Sequence, residues 1–233
     1  MRRKTALTAT AIVSVVGLIV GWPQAIVGVL RALFPSLIWE MRTPDRVVAI
    51  TFDDGPDPVF TPKVLEILRR YKITATFFLV GERVRRFPEV LGQIREEGHC
   101  VGNHSDSWRR TVQLGHDEFE RDLLRAEQSL GLLDSPKLFR PAGGMIRADQ
   151  IQVLRKHCYF AVLGSAYAFD PYRPPQKYIE WAITRGLKNG AIIVLHDSGG
   201  DRTHSVEALP VVIENAQAKG YRFVRLSEHL PGR

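Results

Sequence analysis

The sequence predicts an α/β fold, a distorted (β/α)7 TIM-like barrel preceded by an N-terminal transmembrane helix. From Arg46 onward, short apolar runs rich in β-branched and aromatic residues alternate with longer segments of helical spacing, which is typical of a parallel sheet. Polar residues follow several of the apolar runs, as they do at the carboxyl end of a barrel. An uncharged run stands before the first of these units.

The uncharged run extends from Thr5 to Leu30 and follows the basic residues 2–4. It is long enough to cross a hydrocarbon layer of roughly 30 Å as a helix. A cleaved signal peptide would have the same basic start and apolar core, but residues 21–24 offer no small-x-small cleavage site, so we favour an uncleaved anchor. The positive-inside rule then predicts residues 1–45 as membrane anchor and juxtamembrane segment, with residues 46–233 on the extracytoplasmic side.

The composition limits the number of domains and the kinds of partner. A chain of 233 residues can bury one substantial core, and no long linker divides it. Its net charge of +7 suits an anionic envelope or lipid surface, although a solvated basic face is the default explanation. No basic stripe with interleaved aromatic residues is present, so nucleic acid is not expected as a partner.

Seven strands and six helices are predicted, each from its local pattern. The apolar runs at 47–52, 74–80, 99–103, 137–140, 159–165, 191–195 and 221–226 are the strands. The segments with helical spacing are 62–71, 82–97, 117–132, 148–157, 176–189 and 205–219. Thr61 and Pro62 form a start signal for the first helix, and Gly98 a stop signal for the second. The loop 104–116 is long without predicted structure, and such loops are often functional.

The first predicted strand ends in two adjacent carboxylates, Asp53 and Asp54, before the turn residues Gly55 and Pro56. Neighbouring residues at a strand end point in different directions, so one acid can hold a metal while the other moves a proton. A simple turn with Asx hydrogen bonds would also explain this sequence.

Four further strands are followed by polar groups that can do chemistry. These are His104, Arg140, Asp170, and His196 with Asp197. Packing alone seldom places an acid, an imidazole or a guanidinium at five strand ends. The sequence therefore predicts a catalytic site at the carboxyl ends of the strands.

Three segments carry a family resemblance: TFDDGPDP, RPAGG and IIVLHD. They resemble motifs of the polysaccharide deacetylases of the NodB-homology type, the carbohydrate esterase 4 group, and the resemblance covers the chain from about Arg46 to its end. It implies a distorted TIM-like barrel, a divalent metal of the zinc type, and hydrolysis of N-acetyl groups on N-acetylglucosamine-type sugars. The implied partner is an amino-sugar polysaccharide such as peptidoglycan or a chitin-like polymer, and the anchor favours a glycan of the cell envelope.

The resemblance also implies roles for single residues. Asp53 would be the general base, Asp54 and His104 metal ligands, and Arg140 the partner that orients Asp53. His196 would be the general acid.

Asp170 would tune the general acid, although Pro171 stands where the family usually has an aromatic residue. Tyr167 and Tyr172 flank Asp170 in sequence, and we expect them to form a sugar-stacking wall because aromatic faces suit the apolar side of pyranose rings. A packing role for the two tyrosines is an equal alternative.

The second motif departs from the family's His-Ser/Thr-x-x-His pattern, because GNHSDSW places Trp108 at its last position. Indole has no lone pair free for a metal, and two protein ligands bind zinc more weakly than the usual three. Asp106 and His116 are geometrically possible substitutes.

Several hypotheses remain open at this point. The chain is an enzyme with a substitute ligand or a weakly held metal, a carbohydrate-binding pseudoenzyme that lost hydrolysis, or a metal-free hydrolase. We favour the enzyme because base, acid, arginine and one histidine ligand are all present. A glycoside hydrolase is disfavoured, since the adjacent Asp53 and Asp54 cannot easily flank one bond at the required separation.

Overall fold

The computed structural model describes residues 23–132 and 137–230. Its strands are β1 (Val47–Asp53), β2 (Thr76–Leu79), β3 (Cys100–Asn103), β4 (Lys137–Phe139), β5 (Tyr159–Ala161), β6 (Ala166–Tyr167), β7 (Ile192–His196) and β8 (Arg222–Phe223). Its helices are α1 (Pro23–Leu33), α2 (Phe60–Tyr71), α3 (Gly81–Arg86), α4 (Pro88–Glu96), α5 (His116–Leu130), α6 (Ala148–Lys156), α7 (Gln176–Gly186) and α8 (Thr203–Ala218).

Seven parallel strands form a curled half-barrel in the order β5-β4-β3-β2-β1-β7-β6, and β8 pairs with the start of β1. Every residue of the interior strand β1 is buried, as expected where helices cover a parallel sheet. The α/β class and the parallel, barrel-like architecture are thus confirmed. Within the described residues no ladder joins the end strands β5 and β6, so the curled sheet does not close.

The segment before β1 packs on the half-barrel. Ile38 forms a bridge with Val162 beside β5, and Glu40 forms one with Ala191 beside β7. Leu37, Trp39 and Met41 are buried within the same apolar clusters as residues of the strands. Residues 37–41, which we assigned to the juxtamembrane segment, therefore contribute to the core of the domain.

Two predicted elements have different bounds in the structure. The predicted strand 159–165 ends early, as β5, and the short strand β6 that follows it was not predicted. Gly164, between the two strands, lies so close to β7 that a Cβ would be 2.2 Å from a Val194 methyl group. The predicted helix 82–97 becomes α3 and α4 because Pro88 cannot continue a helix but suits the first position of a new one. Pro88 was a visible signal that our interpretation of the periodicity overlooked.

The predicted transmembrane helix at Thr5–Leu30 lies for most of its length outside the described residues. The structure describes its last part within α1, a helix of 11 residues. Among the helices of the described ranges, none has both the length and the apolar character needed to cross a bilayer.

Candidate active site

The carboxyl end of the half-barrel gathers the residues predicted for the site. The register of β1 and β7 places Asp53 directly beside His196. His104 and Arg140 each come directly after a strand, β3 and β4, and Asp170 lies three residues after β6. Five parallel strands therefore deliver their polar residues to one edge of the sheet.

Arg140 holds the Asp53 carboxylate in place. Its Nη1 donates to Asp53 Oδ1 at 2.6 Å and to Thr51 Oγ1 at 2.6 Å, and its Nη2 donates to the Leu163 carbonyl at 2.7 Å. The guanidinium carbon also lies 4.0 Å from the ring centre of Phe78. Both members of the ion pair are buried, so Asp53 is a fixed carboxylate whose second oxygen is not needed by the arginine.

His104 and Asp54 face each other. His104 Nδ1 lies 2.7 Å from the Arg140 carbonyl oxygen, which can only accept, so Nδ1 carries the proton. The Nε2 atom is thereby left pointing at Asp54 Oδ1, 3.3 Å away. Burial alone would raise the pKa of Asp54, but the hydrogen bond and charge of His104 in its protonated form outweigh it and hold that pKa below the usual 3.8.

The turns after β1 and β3 aim these two side chains. Asp54 and Ser105 both take the left-handed backbone conformation, each with a φ of 73°. Asp tolerates this region better than most residues, and at Ser105 the buried Asn103 side chain stabilises the turn by accepting from the Ser105 amide at 2.9 Å. Unusual backbone conformations of this kind cluster at functional sites.

His196 and Asp170 form a second buried pair. Nδ1 of His196 lies 2.9 Å from Asp170 Oδ1, and the other carboxylate oxygen accepts from the His196 amide and the Ser205 hydroxyl. Burial lowers the pKa of His196, but the Asp170 charge and hydrogen bond raise it by more, to about 9. Near neutral pH His196 is therefore an imidazolium whose Nε2 proton is available to a bound molecule.

The Trp108 side chain packs on an arginine and against a glycine. Its ring stacks on the Arg83 guanidinium, with 5.4 Å between the guanidinium carbon and the ring centre, and its benzo edge lies against Gly199. Arg83 is fixed by Asp57 Oδ2 and the Pro56 carbonyl, each at 2.8 Å. The indole is 47% exposed and lies at the rim of the site.

Neither proposed substitute ligand points into the site. Arg85 binds both carboxylate oxygens of Asp106, at 2.5 and 3.0 Å, so this acid is occupied in a contact with α3. His116 begins α5, is half exposed, and has Asp149 as its nearest carboxylate at 3.8 Å. The suggestion that either residue completes a metal site is wrong for this structure.

The donor set suits a divalent metal only in part. A carboxylate oxygen and an imidazole nitrogen with its lone pair free are ligands that zinc and related ions prefer. Asp54 and His104 supply these two atoms at 3.3 Å from each other. In the described part of the chain no group of three His, Cys, Asp or Glu residues is arranged to hold a metal.

The two residues predicted to stack on sugars, Tyr167 and Tyr172, have different surroundings. Tyr167 packs edge-on against Phe169, with ring centres 4.9 Å apart, and against His196 at 6.4 Å. Burial and the nearby Asp170 and Asp53 charges raise the Tyr167 pKa, so its phenol stays neutral. Tyr172 is 80% exposed. Tyr167 therefore packs beside the acid–base residues, and only Tyr172 stands free at the mouth.

Asp197 is a buried carboxylate to which we gave no role. Thr61 Oγ1 donates to its Oδ2 at 2.5 Å, and its Oδ1 has no hydrogen-bond partner among the residues that the structure describes. A Cβ on Gly55 would lie 2.8 Å from that Oδ1, so the turn after β1 needs glycine here. Burial raises the pKa of Asp197 to about 7.

Arg202 joins two loops of the site. The buried guanidinium donates to the Asp170 carbonyl at 3.2 Å and to the Gly199 carbonyl at 2.8 Å. It thereby ties the loop after β6 to the loop after β7. The sequence signal for an unusual loop here was the glycine pair that precedes Arg202. Gly199 and Gly200 both have positive φ, which glycine adopts most readily.

Comparisons with known proteins agree with this geometry. The sequence model of the family described as polysaccharide deacetylase matches residues 40–162. A peptidoglycan-N-acetylglucosamine deacetylase of Bacillus cereus is 38% identical over 196 residues, which cover 82% of this chain and 92% of the relative.

Two solved structures have the same fold. A crystal structure of a peptidoglycan N-acetylglucosamine deacetylase matches with a TM-score of 0.80 at 32% identity, over 84% of this chain and 92% of the other. A family 4 acetyl xylan esterase from Clostridium thermocellum, solved with a cobalt ion, matches with a TM-score of 0.72 at 30% identity, over 78% and 89%. The match to the family model and the 38% identity to a relative show that this chain belongs to the polysaccharide deacetylase family.

Proposed function

We propose that the chain hydrolyses N-acetyl groups on N-acetylglucosamine-type residues of a cell-envelope polysaccharide. The observation that carries the proposal is the register that sets Asp53 beside His196. One of these groups is a fixed carboxylate and the other a buried imidazolium, and amide hydrolysis needs such a base and acid on one substrate. The relatives' peptidoglycan names support an amino-sugar polymer as substrate.

Asp53 is the general base in this mechanism. Its Oδ1 is held by Arg140, so the carboxylate keeps one orientation while the other oxygen takes a proton from the attacking water. The oxygen of that water bonds to the amide carbonyl carbon, which becomes tetrahedral. A positioned base of this kind contributes roughly 10²–10⁴ in rate.

His196 is the general acid. As the tetrahedral carbon releases the sugar nitrogen, the C–N bond breaks and His196 Nε2 gives its proton to the departing amine. Asp170 keeps the imidazole in the orientation and charge state for this transfer. The products are acetate and a free amine on the sugar.

Asp54 and His104 are the residues that would hold a divalent cation, which the family resemblance suggests is zinc. Such an ion, when bound, polarises the amide carbonyl and makes water more acidic. With two protein ligands in place of three, we expect its affinity to be low.

The test is acetate release by the full-length chain in mild detergent, from N-acetylglucosamine oligomers and from peptidoglycan fragments. Release that stops with a chelator and returns with added zinc or cobalt would support a metal-dependent deacetylase. Release that persists in excess chelator would support hydrolysis by the acids alone. Asp53→Asn is the control for background hydrolysis.

The alternative is a carbohydrate-binding pseudoenzyme, which Trp108 at a family ligand position favours. It predicts no acetate release with any metal, together with retained affinity for the oligomers. Both outcomes are measured on the same preparation, so the two functions are separable.

We also propose that the N-terminal run anchors the chain with its catalytic domain outside the cytoplasm. The support is the uncharged run Thr5–Leu30 after three basic residues. Membrane fractions washed with alkaline carbonate should retain the chain, and protease added to spheroplasts should degrade it. A chain released by the wash would contradict the anchor.

A further inference from the structure

Trp108 is the strongest unexplained feature of the site. A large apolar side chain that is 47% exposed contributes little to the core, and an indole cannot bind a metal. Its surroundings are nevertheless ordered on two sides, by Arg83 beneath one face and by Gly199 at the benzo edge.

The support beneath the indole is rigid. Arg83 is held by a side-chain ion pair to Asp57 and a hydrogen bond to the Pro56 carbonyl, each at 2.8 Å. Both partners belong to the turn that follows Asp54. The guanidinium charge is balanced by Asp57, so the stack on Trp108 positions the ring without leaving a free cation in the site.

The loop after β7 makes room for the indole. A Cβ at Gly199 would lie 3.0 Å from Trp108 Cη2 and 3.1 Å from Arg202 Nη2, so a glycine is needed where the ring edge meets the loop. Gly199 also has a φ of 83°, which other residues rarely adopt. Trp108 is thus seated between Arg83, which is bound to the turn after Asp54, and Gly199 in the loop after His196.

The geometry points to a sugar-binding role: we propose that Trp108 is a stacking platform for a pyranose ring next to the one that reacts. This proposal rests on the proposed function for the identity of its ligand. The apolar C–H face of a pyranose suits an exposed aromatic face, and a ring already held in place loses little entropy on binding. The occupant is a neighbouring sugar of the same polymer, because the exposed indole packs on Arg83 and Gly199, neither of which has a role in the reaction.

A second exposed aromatic residue lies on a loop connected to Gly199. Tyr172 is highly exposed on the loop that begins at Asp170, and Arg202 joins that loop to Gly199. Two exposed aromatic residues on connected loops, one on each side of the His196 loop, match a polymer better than a single sugar.

The experiment is a calorimetric titration of the full-length chain, in detergent and excess chelator, with the N-acetylglucosamine tetramer. Trp108→Ala should weaken binding about tenfold, the effect of losing roughly 1.4 kcal/mol of stacking and burial. Trp108→Phe should keep most of the affinity because it keeps an aromatic face. Trp108→Leu, which is apolar but has no such face, should behave like alanine.

Trp181 provides a matched control. It is 40% exposed and also has an arginine over its ring, Arg185 at 5.6 Å, but it lies on α7. Trp181→Ala should bind the tetramer like the wild type. Thermal unfolding of each variant identifies any loss of fold. If Trp108→Ala is unfolded, the comparison of Trp108→Phe with Trp108→Leu still tests the proposal.

The proposal is overturned if Trp108→Ala binds like the wild type, if leucine serves as well as phenylalanine, or if Trp181→Ala is equally weakened. It is also overturned if the wild type does not bind the tetramer. Because the titration involves no turnover, its result is separate from acetate release. A chain that binds through Trp108 but releases no acetate would keep the platform and lose the proposed hydrolysis.

Discussion

Asp54 Oδ1 lies 3.3 Å from His104 Nε2, and the Nδ1 proton of His104 is committed to the Arg140 carbonyl. When the ring is neutral, Nε2 therefore has a free lone pair beside a carboxylate oxygen. The position that would supply a second imidazole is Trp108, which stacks on Arg83 instead. The centre is oriented like a metal site and lacks one protein ligand.

We predict that Trp108→His raises zinc affinity about tenfold or more, because it returns the usual number of three protein ligands. The measurement is competition with a fluorescent zinc chelator. Trp108→Phe is the matched control, since it removes the indole without adding a ligand, and its affinity should equal the wild type's. Unchanged affinity in the histidine variant would show that position 108 cannot reach the metal. The same variant should lose affinity for the sugar tetramer.

Asp53→Asn should lower kcat by about 10²–10⁴, the usual contribution of a general base. The fold should survive, because the asparagine oxygen can still accept from Arg140 Nη1. Acetate release measures the loss of kcat, and the thermal midpoint shows whether the fold is intact. An Asp53→Asn variant with wild-type kcat would remove Asp53 from the mechanism.

Arg140→Ala should instead act on the fold. It leaves the buried Asp53 carboxylate without its partner and frees the Leu163 carbonyl, so the free energy of unfolding should fall by about 3–5 kcal/mol. Urea unfolding measures this loss. Arg140→Lys keeps the charge but not the planar set of donors, so its free energy of unfolding should lie between those of the wild type and the alanine variant. A fully stable alanine variant would contradict the role of this pair.

The pH dependence of hydrolysis should report His196. Burial lowers its pKa and Asp170 raises it by more, to about 9, so kcat should be steady through neutral pH and fall as pH rises through about 9. The His196–Asp170 ion pair should also stabilise the fold most below pH 6.5, and this stabilisation should be lost as pH rises through about 9. Asp170→Asn should move the basic limb of the profile towards 6.5. Ser205→Ala, which removes only a hydroxyl donor to Asp170, should move it far less.

Asp197 should make the free energy of unfolding fall as pH rises, whereas a carboxylate whose pKa is lowered by an ion pair has the reverse effect. Burial raises its pKa from 3.8 to about 7, so the carboxylate costs folding free energy as pH rises from 3.8 through about 7. Asp197→Asn should therefore raise the thermal midpoint relative to wild type at pH 8 and change it little at pH 4. Thr61→Val, which removes the hydroxyl donor to Asp197, should do the reverse at pH 8. A midpoint difference that is the same at both pH values would show that Asp197 does not titrate in this range.

The strand ends were the most predictable part of the molecule. In parallel strands covered on both sides, the apolar runs mark the strands, and the first polar residue after each run marks the catalytic edge. Asp53, His104, Arg140 and His196 were found in this way, and the structure places them together. Boundaries were less predictable, because the apolar pattern at 159–165 continues past the end of β5 and the pattern at 82–97 continues through Pro88, which divides the helix.

The sequence by itself determined the α/β class, the order of the units, the family, and the absence of a metal-binding side chain at position 108. These depend on local periodicity and on residue chemistry, which need no coordinates. Only the tertiary structure decided that Asp106 is bound by Arg85, that Arg202 joins two loops, and that Trp108 lies on Arg83. Such contacts join residues far apart in the chain, and a side chain's direction there follows from packing that no local pattern encodes.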